Sequence, residues 1–146
     1  MKKLFIAALM AVSIAGSAFA ADANKVSYSV VNTFKASFKN ASDVQWSITE
    51  NFTKASFVLN NQHKAAFYTP DGEWIANTEE INIDKMPEVA QNVLENKYAG
   101  YTVKEVIRFE GVAEEAYYIS LENEQRTLIL KVNESGEISI FKCVKK

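Results

Sequence analysis

The chain has 146 residues, with 16 Lys and Arg against 18 Asp and Glu and a formal charge of −2. That length suits one domain with a real core, and a near balance of charge without any Lys/Arg cluster lacks the electrostatic footprint of a nucleic-acid binder. The single cysteine, Cys143, rules out an intramolecular disulfide, so stability has to come from packing.

Residues 1–20, MKKLFIAALMAVSIAGSAFA, read as a signal peptide. Lys2 and Lys3 form a positive start, an apolar run follows from Leu4 to Ala15, and Ala18-Phe19-Ala20 is a small-residue cleavage motif. The apolar run is about a dozen residues, whereas a spanning helix needs roughly 20. Cleavage after Ala20 is expected to leave residues 21–146 as a single domain, more acidic for the loss of two lysines. No cysteine lies near the cleavage site, so a lipid anchor is not expected. The sequence predicts a periplasmic protein with no membrane insertion after cleavage.

From Val26, apolar residues recur at Val30, Phe34 and Phe38, with Val31 beside them, which is the spacing of one helix face. Asn40 is the expected stop. Val44, Trp46 and Ile48 alternate with Gln45 and Ser47, as in a half-buried strand. Residues 52–60 and 63–69 read as two more strands around Asn60-Asn61. Pro70-Asp71-Gly72 supplies a turn into a fourth strand at 73–77. The cycle then restarts. Asp84 is a candidate helix cap, Pro87 is tolerated in a first turn, and Met86, Val89, Ala90, Val93, Leu94 and Tyr98 form an apolar stripe. Gly100 fits the C′ position. Strands follow at 101–109, 115–122, 126–133 and 137–144.

The predicted fold class is therefore α+β: a tandem repeat of a helix plus a four-stranded antiparallel meander. Repeat one covers 24–78 and repeat two 79–146, and the strands form one continuous antiparallel sheet with both helices on one face. Alternation assigns Trp46, Ala55, Phe57, Ala65, Phe67, Trp74 and Ala76 to the helix-facing core of repeat one. In repeat two it assigns Val103, Tyr117, Ile119, Leu121, Leu128, Leu130, Val132, Ile138 and Ile140. The other face then carries Val58, Tyr68, Ile75, Tyr118, Ile129, Phe141 and Cys143 among Lys54, Lys64, Glu73, Ser120 and Lys131. A merely solvated face is poorer in large apolar groups. An apolar stripe with a charged rim has the character of a binding surface.

Reactive chemistry is thin. His63 is the only histidine, and no nucleophile motif accompanies it. One His and one Cys show no metal-ligand spacing, and no cofactor is expected. Glu79-Glu80, Glu114-Glu115 and Glu122/Glu124 sit at element ends, where carboxylates are solvated turn charges. Cys143 reads as a small apolar filler on the last strand, the alternative being an intermolecular disulfide or a reactive thiol. The sequons at Asn40, Asn51 and Asn133 read as turn chemistry behind a bacterial-type leader.

The order of these motifs resembles the PepSY-like exported bacterial proteins, which are related in fold to the β-lactamase inhibitor protein. The residues that carry the resemblance are Val44-Gln45-Trp46, Lys54-Ala55-Ser56-Phe57, Ala66-Phe67 leading to Asp71-Gly72-Glu73-Trp74, Met86-Pro87-Glu88-Val89 and Tyr98-Ala99-Gly100-Tyr101. The likeness covers nearly all of 26–142. It implies a periplasmic location, an α+β tandem repeat and no catalytic residues. It also implies a binding role, since the inhibitor protein holds its enzyme on the open face of its sheet. The reading is a non-enzymatic binding or inhibitory module, a monomer or weak dimer. It would recognise a protein or peptide through Tyr68, Ile75, Tyr118, Ile129 and Phe141 on the open sheet face. The alternative is a small-ligand carrier with a pocket between helices and sheet.

Overall fold

The computed structural model describes residues 25–146, so the expected leader and cleavage site lie outside the described residues. In chain order the elements are α1 (Tyr28–Ser37), β1 (Ser42–Ile48), β2 (Thr53–Leu59), β3 (Gln62–Tyr68), β4 (Trp74–Glu80), a 3₁₀ turn (Ile83–Lys85), α2 (Glu88–Lys97), β5 (Thr102–Gly111), β6 (Glu115–Glu122), β7 (Arg126–Asn133) and β8 (Ile138–Lys145). The eight strands make one sheet in which spatial order follows chain order. Every adjacent pair is antiparallel.

The helices begin differently. Ser27 caps α1 by accepting a hydrogen bond from the Val30 amide. Asp84, the expected cap of α2, instead lies in the 3₁₀ turn, and Pro87 stands at the N-cap without a side-chain bond. The Gln91 side chain reaches back to the Met86 carbonyl at 2.8 Å and ties that turn down. Gly100 is not needed as a left-handed cap, because Tyr98 is the C-cap of α2 and only Gly72 and Gly136 among the described glycines have positive φ.

Those two glycines join hairpin to helix. Gly72, with φ of 98°, turns β3 into β4, and a Cβ there would meet Ser29 Cβ at 2.7 Å. Gly136, with φ of 90°, turns β7 into β8, and a Cβ there would lie 3.3 Å from Val89 Cβ. Each hairpin tip thus lies against the first turn of a helix in a left-handed conformation that favours glycine, and at Gly72 a Cβ would also collide with α1.

Side chains gather in three clusters. Val30 and Phe34 of α1 pack with Trp46, Ala55, Phe57, Ala66 and Tyr68, and the Phe34 ring meets Trp46 edge-on at 5.2 Å. Ala90 and Leu94 of α2 pack with Val106, Ile119, Leu121, Leu128, Leu130 and Val132. The third cluster contains no helix residue: Phe52, Ala65, Phe67, Ala76, Ile107, Phe109, Ala116, Tyr118 and Ile129, with Ile75 and Phe141 against it.

This distribution corrects the predicted faces of β3 and β4. Tyr68 belongs with α1, whereas Ala65, Phe67 and Ala76 belong to the cluster without helix residues. The cause is the β2–β3 turn. Asn60 and Asn61 have φ of 52° and 63°, the two positive values of a two-residue type I′ turn. That turn pairs Leu59 with Gln62 and Phe57 with Lys64. A loop one residue longer would have set Phe57 against Ala65, and a slip of one residue flips every side chain to the other face. In repeat two, Val103 and Ile140 are exposed rather than core. Cys143 is exposed too, so it is no filler.

Candidate binding groove

Cross-strand neighbours share a face of a sheet. One such row runs Gln45, Ser56, Ala65, Thr78, Phe109, Ala116 across β1 to β6. On one side of it lie Val58 paired with His63, and Glu80 paired with Ile107. On the other lie Lys54, Phe67, Ala76 and Gly111. This is the side of the third cluster. Between the rows is a cavity of about 380 Å³, lined among others by Gln45, Lys54, Ser56, His63, Thr78, Glu80 and Glu105 over a floor that includes Ala65 and Ile107.

Lys54 is its unusual member. Its side chain is 8% exposed, and it is the buried charged residue among those described. Its ammonium lies 5.7 Å from the centre of the Phe67 ring, a cation–π contact. None of the ion pairs or side-chain hydrogen bonds formed among the described residues includes it. Burial pushes its pKa down, and the Glu105 carboxylate pushes back. Burial pushes Glu105 up, as does the negative charge of Glu80, with Lys54 opposing both. The groove therefore holds one under-solvated cation and two carboxylates that repel each other.

These groups meet because the sheet curls. Lys54 on β2 and Glu105 on β5 are three strands and three rows apart, which on a flat sheet would separate their Cα atoms by roughly 24 Å. They nonetheless line one cavity, and one cluster joins Phe52 beside β2 to Ile129 and Phe141 of β7 and β8, so this side of the sheet is concave.

The five residues expected to form an open binding face are distributed otherwise. Tyr118 and Ile129 do share the concave side, but at 1% and 4% exposure they are buried. Tyr68, at 1%, is on the α1 side. Ile75 and Phe141 are half-buried edges of the third cluster. The large rings bury one another: Tyr118 meets Phe141 at 5.1 Å and Phe109 at 6.0 Å, both edge-on. The hydroxyls of Tyr68 and Tyr118 have no hydrogen-bond partner. Burial raises the pKa of Tyr68 to about 12 and raises that of Tyr118 further, with Glu114 adding to the latter. The residues that sequence reasoning missed as a group are Glu80, Glu105, Gln45 and Thr78. Lys54 was visible as a lysine inside an otherwise small and apolar strand.

A second cavity of about 490 Å³ is lined by residues that include Asn61, Gln62, Ile81, Asn82, Lys85, Arg108 and Tyr117. Neither large cavity is lined by a residue of α1 or α2, and the helix–sheet contacts are filled by side chains. Among the described residues no group of three or more His, Cys, Asp or Glu is placed to hold a metal ion. No described helix is long and apolar enough to cross a membrane.

Solved structures with the same arrangement exist. A Bacteroides fragilis protein described as BLIP-like superposes with a TM-score of 0.67 at 17% identity, covering 82% of this chain and 85% of its own. The fold is BLIP-like. A DUF2874 family protein from Bacteroides uniformis superposes at a TM-score of 0.72 and 18% identity, covering 82% of this chain and 88% of its own. A Bacteroides eggerthii protein that carries a periplasmic designation does so at 0.73 and 19%, with the same coverage. No family model matches the sequence, and no curated protein matches it.

Proposed function

We propose that the chain is an exported, periplasmic, non-enzymatic binding module of BLIP-like fold that recognises a protein or peptide on the concave side of its sheet. The observation that carries this reading is Lys54: a lysine whose stem is buried and whose ammonium, without an oxygen partner, opens onto a groove that crosses β1 to β5. Isolated buried charge is costly unless something pairs with it, and a groove that retains one is organised for an external partner.

The architecture proposed with it is a tandem repeat with both helices on the side away from the groove. An offset of 60 residues relates Val30 to Ala90, Phe34 to Leu94 and Trp46 to Val106, all of them buried. The unbroken pairing from Ala55 through Ala66, Asn77 and Glu110 connects the sheet surface under α1 to that under α2. One side is thereby given to packing and the other to recognition.

The test is site-specific photocrosslinking in the periplasm. A photoreactive residue at Ser56 should capture a discrete partner, and one at Glu95, on the exposed side of α2, should not. Capture from Glu95 and not from Ser56 would move recognition to the helices.

A further inference from the structure

The lining of the groove restricts what can enter it. A simple anion could satisfy Lys54 but would face Glu80 and Glu105. A simple cation could sit between those carboxylates but would face Lys54. Glu80 stands exposed at the rim and Glu105 is half-buried, so either repulsion is felt most beside the apolar floor of Ala65 and Ile107, where water screens it least. Lys54 and Glu105 do not satisfy each other directly, since no ion pair forms between them within the described residues, although each alters the other's protonation. Both residues line the cavity of about 380 Å³.

We propose that this groove binds a dipolar segment: a carboxylate that pairs with Lys54 and a basic side chain that pairs with Glu105 and Glu80, carried close together on one peptide. Both host charges then gain the partners they lack, and the two guest charges neutralise each other in the same space. Gln45, Ser56 and Thr78 line the groove between the two ends and supply hydrogen-bonding groups for an extended peptide backbone. This inference rests on the groove being the recognition surface, but it makes a separate claim about the guest.

The experiment uses the mature protein and three blocked peptides: acetyl-Glu-Gly-Lys-amide, and its two relatives with Gln replacing either the Glu or the Lys. Binding is followed by NMR titration of the Lys54 side-chain and Ser56 amide signals. The doubly charged peptide should bind at least tenfold more tightly than either relative. In Lys54→Met the advantage conferred by the peptide's Glu should vanish while that of its Lys persists, and Glu105→Gln should give the converse. Equal binding by the Gln-for-Lys peptide would make the site a plain anion site and overturn the proposal, as equal binding by the Gln-for-Glu peptide would make it a cation site. Absence of all binding at millimolar peptide also overturns it. If Ser56 crosslinking still captures a partner in that case, recognition at the groove stands and only the guest chemistry fails.

Discussion

Lys54 and Glu105 are each partly withdrawn from water, and the fold gains little from the charge of either. Burial lowers the Lys54 pKa, so its charged form is disfavoured in the folded state relative to the unfolded chain. Lys54→Met keeps most of the apolar stem while removing the charge and its contact with the Phe67 ring. It should stabilise the protein by about 0.5–2 kcal/mol, read as a higher urea midpoint at unchanged slope, while weakening capture at the groove. A loss of stability would mean that Lys54 is a structural charge. The buried tyrosines behave comparably. An orphaned hydroxyl costs roughly 1–3 kcal/mol, so Tyr68→Phe and Tyr118→Phe should each raise stability. Their raised pKa values fix the sign with pH. Above about pH 10 the unfolded chain releases these protons while the folded protein keeps them. Stability should therefore fall as pH rises from about 10 through 12, and the double Phe variant should flatten that fall in alkaline melts.

At the scale of the elements, punctuation and periodicity were legible, and registers were not. The two glycine turns, the two helical stripes and the eight strands could all be read, because Gly72 and Gly136 mark tight turns and spacings of four or two mark the elements between. The face of β3 could not be read from alternation alone. It depended on whether Asn60-Asn61 was a two-residue turn, and both Asn backbones adopt positive φ to make it one. The same ambiguity hid the groove, since Thr78 and Glu80 change sides with the register of β3 and β4. The bulges near Phe67/Tyr68 and Ile129/Leu130 shift pairing again in β4 and β8. The docking of turn on helix is testable. Gly72→Ala should destabilise by roughly 1–3 kcal/mol, through its positive φ and its approach to Ser29. Thermal melts check this, and a change below about 0.5 kcal/mol would mean that the turn shifts freely away from α1.

For the whole molecule, length and charge bounded the class, and the order of motifs anticipated an α+β chain with one antiparallel sheet. The concavity had no sequence signal. It arises from twist accumulated over eight strands, and it brings Lys54 and Glu105 into one electrostatic neighbourhood. The side-chain alternation that suggested an exposed apolar face was therefore misleading in a physical sense: on a strongly curved sheet, large rings such as Phe67, Phe109 and Tyr118 cover one another and leave the smaller, more polar positions as the accessible floor. At this scale the leader is also testable. Purified from the periplasm, the protein should begin at Ala21, and N-terminal sequencing that returned Met1 would show the leader to be retained.

The order of strands in the sheet has a kinetic consequence. Each of β1 to β8 pairs only with its neighbours in the chain, so no strand must wait for a distant segment before it can bond. Sheets built from such short-range pairings carry a low search cost, because closing a short loop forfeits less chain entropy than closing a long one. The longest excursion, between β4 and β5, contains α2. A chain of this design can zip from any hairpin, and the Asn60-Asn61 turn, already biased toward its bend, is the natural place to start. A polypeptide emerging N-terminus first would be able to assemble β1 to β4 before β8 had appeared.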